Sequence, residues 1–281
     1  MFFGTDAVAV PVLNALEEKG FLPEVVVTAP DRASGREELS SPAKLWAEKR
    51  HIPVLQPTKL DEGFVLQLKA YSLQLFIVAS YGKIIPPEIF NSPEHGTLNI
   101  HPSLLPKLRG PAPIQGTIIS GEKAGVTIIK IDNEVDHGDI LGQKEVTTEG
   151  IPHFRELEEK LGHTGGELLA EILPDYVAGK ISAVPQDHDR ATFTKKVTKK
   201  DGLINLSDDA RINLRKIRAY ENWPGTYFLH KHAKTNKEMR VSITDAEMES
   251  GLLKILKVVP EGRREMTWDD FTRGFGTVQL E

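Results

Sequence analysis

Cysteine is absent from this chain of 281 residues, which excludes disulfide staples, thiolate nucleophiles and zinc sites built on cysteine sulfur. No apolar run is long enough to cross a bilayer, and no charged, apolar, small-residue leader is visible. Neither a membrane span nor a secretory signal is therefore expected, and the cytoplasm is the expected location. Internal repeats and low-complexity tracts are lacking as well. What is present is an ordinary globular composition, with 40% hydrophobic residues, enough for a sizeable core in one large or two smaller domains.

The net charge of −5 hides an asymmetry. Up to Pro185 there are 17 Lys and Arg against 25 Asp and Glu, and from Gln186 onward 18 against 15. Between Arg190 and Arg240 the excess sharpens to 13 basic against 5 acidic residues. A localised basic region in an acidic protein points to a polyanionic partner such as nucleic acid; charge alone is equally consistent with a solvated linker.

Strand and helix patterns alternate as far as Pro185. Phe2-Phe3 reads as a strand end, Val8 to Lys19 has helical spacing, and Glu24 to Thr28 is a β-branched strand. Further helices are expected over Pro42 to Arg50 and Ile114 to Ser120, and strands over Thr97 to His101 and Val126 to Asp132. A helix from His153 to Tyr176 is expected to be interrupted at Gly162 and Gly165-Gly166. Such alternation argues for a doubly wound α/β sheet, whose ligand crevice lies at the carboxyl ends of the strands. Gln186 to Lys200 reads as a basic linker. Beyond it, Ser207-Asp208-Asp209 caps a short helix on which Arg211, Arg215 and Arg218 form an exposed stripe. Short strands at Thr226 to His230, Met239 to Thr244 and Leu252 to Val259 indicate a small β domain. The expected organisation is thus 1–185, a linker at 186–200, and 201–281.

The most informative stretch is Leu98-Asn99-Ile100-His101-Pro102-Ser103-Leu104-Leu105-Pro106, closed by Arg109-Gly110-Pro111-Ala112-Pro113. Residues i and i+2 of a strand share a face, so the Asn99 carboxamide and the His101 imidazole project together into one cleft. A carboxamide donates hydrogen bonds to a developing oxyanion, and an imidazole moves protons near neutral pH. Taken alone, an Asn-x-His pair is also compatible with satisfied polar groups at a strand end. The proline-fixed loop that follows suits a flat, partly apolar ligand held by main-chain groups. Downstream, Asp132-Asn133-Glu134-Val135-Asp136-His137-Gly138-Asp139 lacks the spacing of a calcium loop, and no metal is expected. Asp136 can orient the imidazole from a neighbouring loop, or the segment can be a turn rich in Asp and Gly for backbone reasons.

Asn99-x-His101-x-Ser103-Leu104-Leu105-Pro106 with Asp136 downstream resembles the signature of the formyltransferases that use 10-formyltetrahydrofolate. Phe3-Gly4-Thr5, Ala29-Pro30-Asp31-Arg32, Ser41-Pro42-x-Lys44, Ile52 to Pro57, Tyr81-Gly82-x-Ile84-Ile85-Pro86 and Arg109-Gly110-x-Ala112-Pro113-Ile114-Gln115 resemble, within that group, the methionyl-tRNA formyltransferases. Ile217-Arg218-Ala219-Tyr220 with Trp223-Pro224-Gly225-Thr226 is similar to the start of their C-terminal barrel, so the resemblance runs nearly end to end. It implies a Rossmann-like formyltransferase domain over 1–185 and a small OB-like β-barrel over 201–281 that binds tRNA.

The resemblance also implies roles. Asn99, His101 and Asp136 would be catalytic. Tyr81, Gly82, Ser103, Leu104, Leu105 and Pro106 would hold the folate, with a cis peptide at Leu105-Pro106. Arg36, Lys195, Lys199, Lys200, Arg215 and Arg218 would meet initiator methionyl-tRNA, and the chain would act as a monomer. Three features depart from the family pattern. The first strand is short, Glu37-Glu38 stand where basic residues usually follow Gly-Arg, and the stretch between Met239-Arg240-Val241 and Leu252 is reduced. The acidic pair favours an alternative, a formyltransferase for a small amine such as an amino sugar nucleotide. A catalytically degenerate folate- or RNA-binding paralogue is the remaining alternative.

Overall fold

The computed structural model describes residues 1–34, 37–71, 74–232 and 236–278, with backbone only for 32–34, 37 and 38. Arg36 lies outside the described residues, as do the side chains of Glu37 and Glu38. Two compact units are present: Met1–Pro113 with Lys123–Thr147 and Glu158–Thr194, and Ile114–Glu122 with Thr148–Leu157 and the chain from Lys195 onward.

The elements of the N-terminal half are, in order, β1 (Phe2–Phe3), α1 (Ala9–Glu18), β2 (Val26–Val27), β3 (Arg32–Ser34), β4 (Glu37–Leu39), α2 (Pro42–Glu48), β5 (Val54–Leu55) and α3 (Glu62–Leu68). There follow β6 (Phe76–Val78), α4 (Pro87–Phe90), β7 (Thr97–His101), α5 (Pro113–Ser120), β8 (Gly125–Lys130), β9 (Ile140–Glu145) and α6 (Phe154–Val177). The first unit is built on a seven-stranded sheet in the order β5-β2-β1-β6-β7-β8-β9. The strands from β5 to β7 in that order run parallel, whereas β8 and β9 are antiparallel additions. This mixed α/β, Rossmann-like arrangement agrees with the alternation read from the sequence.

Although β1 is only two residues long, Phe2 and Phe3 are fully buried and pair with both β2 and β6. On one side Phe3, Val25, Val27, Phe64, Phe76, Val78 and Ile89 form a continuous apolar cluster. Helix starts follow local chemistry: the Ser41 hydroxyl accepts from Lys44 N ahead of Pro42, and Asp61 accepts from Phe64 N. Helix α6 is continuous, contrary to the interruption expected at its glycines. A Cβ at Gly166 would lie 2.6 Å from Val12 O and 2.7 Å from Ala15 Cβ, and one at Gly165 would lie 2.5 Å from Ile100 Cγ2. These glycines admit α1 and the sheet at close range, so packing overrides their low helix propensity.

The second unit contains α7 (Ala210–Ala219), β10 (Thr226–Lys231), β11 (Glu238–Glu249), β12 (Leu252–Pro260), β13 (Met266–Thr267) and α8 (Trp268–Phe275). Its strands form a four-stranded antiparallel sheet in sequential order. Val241, Ile243, Ile255, Val258, Phe228 and Phe271 form its core, shared with Leu214 and Ile217 of α7. The tight β11–β12 hairpin turns at Ser250-Gly251, both at positive φ (53° and 84°), the conformation that matches strand twist in a two-residue loop. Among the described residues no helix is long and apolar enough to cross a membrane.

Candidate active site

Strand β7 pairs with β6 on one side (Val78 with Asn99) and with β8 on the other (His101 with Thr127). Its two-residue period puts Asn99 and His101 on one face at the carboxyl end of the parallel strands, as the sequence predicts. His101 is buried and Asn99 half-buried. Asn99 Nδ2 donates to Asp136 Oδ1 at 3.3 Å, and His101 Nδ1 lies 3.4 Å from the same oxygen. On the far side of the ring, Nε2 donates to Leu108 O at 3.1 Å. Both side chains therefore converge on one carboxylate oxygen.

Asp136 comes from the turn between β8 and β9, at a φ of 52°. The backbone reading of this segment holds for Gly138, since a Cβ would fall 1.7 Å from Lys130 O; Asp136 reaches the strand face that carries Asn99 and His101. Its Oδ2 accepts from Gly110 N at 2.7 Å, which ties the turn to the loop after β7.

A supporting layer escaped the sequence reading. Gln186 Nε2 donates to the carbonyls of Asp136 (3.0 Å) and Gly138 (2.8 Å). Gln186 Oε1 in turn accepts from Arg109 Nε and Nη2 at 3.2 and 2.7 Å. Arg109, only 4% exposed, also donates through Nη2 to His188 Nδ1 at 2.8 Å. His188 stacks on His137 with centroids 4.0 Å apart. Within the tract read as a linker, the residues from Gln186 to Thr194 are thus bonded into the first unit. Below the loop, Thr127 Oγ1 donates to Ser103 O (2.6 Å) and accepts from Leu105 N (3.1 Å), while Gln143 donates to Leu105 O (2.7 Å). A buried Thr in the apolar run of β8 was the available signal.

The proposed folate residues divide by what they can offer. The Leu105–Pro106 peptide is cis, as expected. Ser103 is fully buried, with its hydroxyl donating to Lys107 O, and Leu105 is buried too, whereas Leu104 and Pro106 are half-buried. Tyr81 turns its ring into the core against Phe3, where burial pushes the phenol up to about 12. Its carbonyl accepts from the Thr5 hydroxyl. Gly82 is exposed, and nearby Ile84 is 84% exposed.

The family model described as "Formyl transferase" matches residues 1–173. A methionyl-tRNA formyltransferase of Herpetosiphon aurantiacus is 38% identical over 99% of this chain and 98% of its own length. One from Halalkalibacterium halodurans is 36% identical over 99% and 95%. The chain belongs to the methionyl-tRNA formyltransferase family. The solved "Methionyl-tRNA formyltransferase from Clostridium thermocellum" shares the fold, with a TM-score of 0.60 at 17% identity over 92% of this chain and 96% of that one.

The basic residues that family membership brings into question are not equivalent. Lys195, Lys199 and Lys200 are exposed, as is Arg211. Arg215 and Arg218 are half-buried rather than part of an exposed stripe. Arg215 Nη1 donates to Ile119 O (3.3 Å) and Ser120 O (3.1 Å), the last carbonyls of α5, and Arg218 donates to Ile151 O. Helix α7 turns Leu214 and Ile217 inward, and the neighbouring arginine stems follow them and cap other segments of the same unit.

Proposed function

We propose that this enzyme transfers the formyl group of 10-formyltetrahydrofolate to the α-amine of methionine esterified to initiator tRNA. The carrying observation is the convergence of Asn99 and His101 on Asp136 Oδ1. The whole-length similarity to relatives of that name supports the substrate. In this reading the enzyme works as a monomer in the cytoplasm. In the same reading the first unit, Gln186 to Thr194 included, carries catalysis, and 201–281 form an OB-like barrel that holds tRNA.

The residues fit a folate. Gly82 and Ile84 follow β6, while Leu104 and Pro106 follow the neighbouring parallel strand β7. The two loops offer apolar faces and main-chain groups at one crevice edge, where a flat ring can lie. When bound, the folate supplies an activated one-carbon unit at the oxidation level of formate. Asn99 has a second amide hydrogen beyond the one given to Asp136, and it holds the carbonyl oxygen as negative charge grows there. Protonated on both ring nitrogens, with Nε2 held by Leu108 O, His101 would donate its Nδ1–H to the same oxygen. Asp136 fixes both donors, accepts the proton shed as the amine bonds to the formyl carbon, and would relay it to the folate nitrogen that leaves when its bond to that carbon breaks.

The test is to incubate the protein with 10-formyltetrahydrofolate and either methionyl-tRNA or an amino sugar nucleotide, following folate release. Formylation of methionyl-tRNA alone is expected. Asn99→Ala and His101→Ala are each expected to lower kcat by roughly two orders of magnitude with folding intact. Turnover with the sugar nucleotide alone would move the small-amine alternative to first place, and no turnover with either would favour the degenerate paralogue.

A further inference from the structure

Phe193 is 70% exposed, yet it stands on one of the most tightly fixed segments beside the catalytic loop. Thr192-Phe193-Thr194 runs parallel to Leu108-Arg109-Gly110: Arg109 N donates to Thr192 O (2.9 Å) and Thr194 N to Arg109 O (2.7 Å). The flanking threonines add side-chain bonds, with Leu108 N donating to Thr192 Oγ1 (2.9 Å) and Ala112 N to Thr194 Oγ1 (3.1 Å). Gly110, at a φ of 105°, lets Thr194 O approach to where a Cβ would be 2.8 Å away. The same Gly110 donates to Asp136 Oδ2.

An aromatic ring held this rigidly and left in solvent contributes nothing to the core, while its mount loses no further freedom when a partner arrives. The ring has a cationic neighbour, the Arg109 guanidinium, 6.0 Å from its centroid. The chain continues directly into the exposed lysines Lys195 and Lys196. An exposed aromatic followed by cations is the combination that holds unpaired nucleotides, the ring stacking on a base and the cations meeting phosphates.

We infer that Phe193 is the stacking platform for the unpaired 3′-terminal nucleobase of the aminoacyl-tRNA acceptor. Stacking there anchors the nucleotide that carries the methionyl ester one hydrogen-bonded residue away from the Asp136 contact, and so helps place the reactive amine. The inference deepens the proposed function and rests on it.

The experiment measures KM and kcat for methionyl-tRNA with wild type, Phe193→Ala, Phe193→Leu and Phe193→Tyr. The same series is run on a methionyl-tRNA whose terminal nucleotide lacks its base. Phe193→Ala and Phe193→Leu are expected to raise KM about ten- to a hundredfold with kcat within about twofold, while Phe193→Tyr stays near wild type. On the abasic acceptor all four proteins should share one raised KM, because ring and base act as a pair. Full rescue by Leu would show plain apolar contact. An Ala penalty that persists on the abasic acceptor would show that the ring touches something else. Either result overturns the inference, as does an unchanged KM in all variants of an active enzyme. If wild type fails to formylate methionyl-tRNA, it is the proposed function that fails instead.

Discussion

At the residue scale, the positions proposed to react and those that hold them are encoded differently. Asn99 and His101 were legible because a strand's period of two puts them on one face, whereas Asp136, 35 residues beyond His101 on a turn rich in Asp and Gly, was singled out only by the family resemblance. Gln186 was not legible. Its acceptors are the carbonyls of Asp136 and Gly138, which leave no trace in the sequence, and it opens a polar tract that reads as linker. Its place makes a prediction: Gln186→Leu leaves two carbonyls and the Arg109 guanidinium without their partner. Each such buried group costs about 1–3 kcal/mol, and displacement of Asp136 misaligns the donors it fixes. kcat should fall about ten- to a hundredfold with folate KM little changed, in steady-state assays on protein whose circular dichroism matches wild type. An unchanged kcat would show that Gly110 alone fixes the carboxylate.

At the element scale, glycine means opposite things in two helices. In α6, Gly166→Ala should destabilise by about 1–3 kcal/mol, because the new methyl meets Val12 O and Ala15 Cβ. In α8, no atom of the described residues lies within 4 Å of a Cβ at Gly274, so Gly274→Ala should stabilise by about 0.5–1 kcal/mol through propensity. Urea melts of the two variants check both signs. Local pattern shows only a helix-weakening residue, which is why α6 reads as broken in the sequence. The edge strand β9 was likewise missed, since Gly142-Gln143-Lys144-Glu145 carries little apolar signal. The β3–β4 hairpin has a titratable clamp at its base. Lys44, then Gln56, hydrogen-bonds the Asp31 carboxylate and holds it below its ordinary range, and Ser40 at the other hairpin end donates to it as well. A lowered folded value means stabilisation that is complete above about pH 4 and lost as pH falls through that lower value. The stability gap between wild type and Asp31→Asn should therefore close on acidification, read by melts across pH; a gap that stays constant would exclude the clamp.

At the scale of the whole molecule, the charge asymmetry resolves into exposed lysines and arginines that cap carbonyls. Neutralising Lys195, Lys196, Lys199 and Lys200 together should weaken tRNA binding and flatten its dependence on salt, by about 0.7–0.9 in the logarithmic slope for each phosphate that is no longer neutralised. Arg215→Gln should instead lower the melting temperature, because its guanidinium serves the carbonyls of Ile119 and Ser120. An unchanged salt slope in the lysine variant would remove the gripping role. The second unit gathers residues 114–122 and 148–157 together with the chain from Lys195 onward, so its parts leave the ribosome at different times. Ile119 is translated 96 residues before the arginine that closes on its carbonyl. At bacterial or eukaryotic elongation rates that interval is on the order of five to twenty seconds. During it the carbonyls at the end of α5 have no cap to accept from, so a contact made in the last third of translation completes an element made in the middle third.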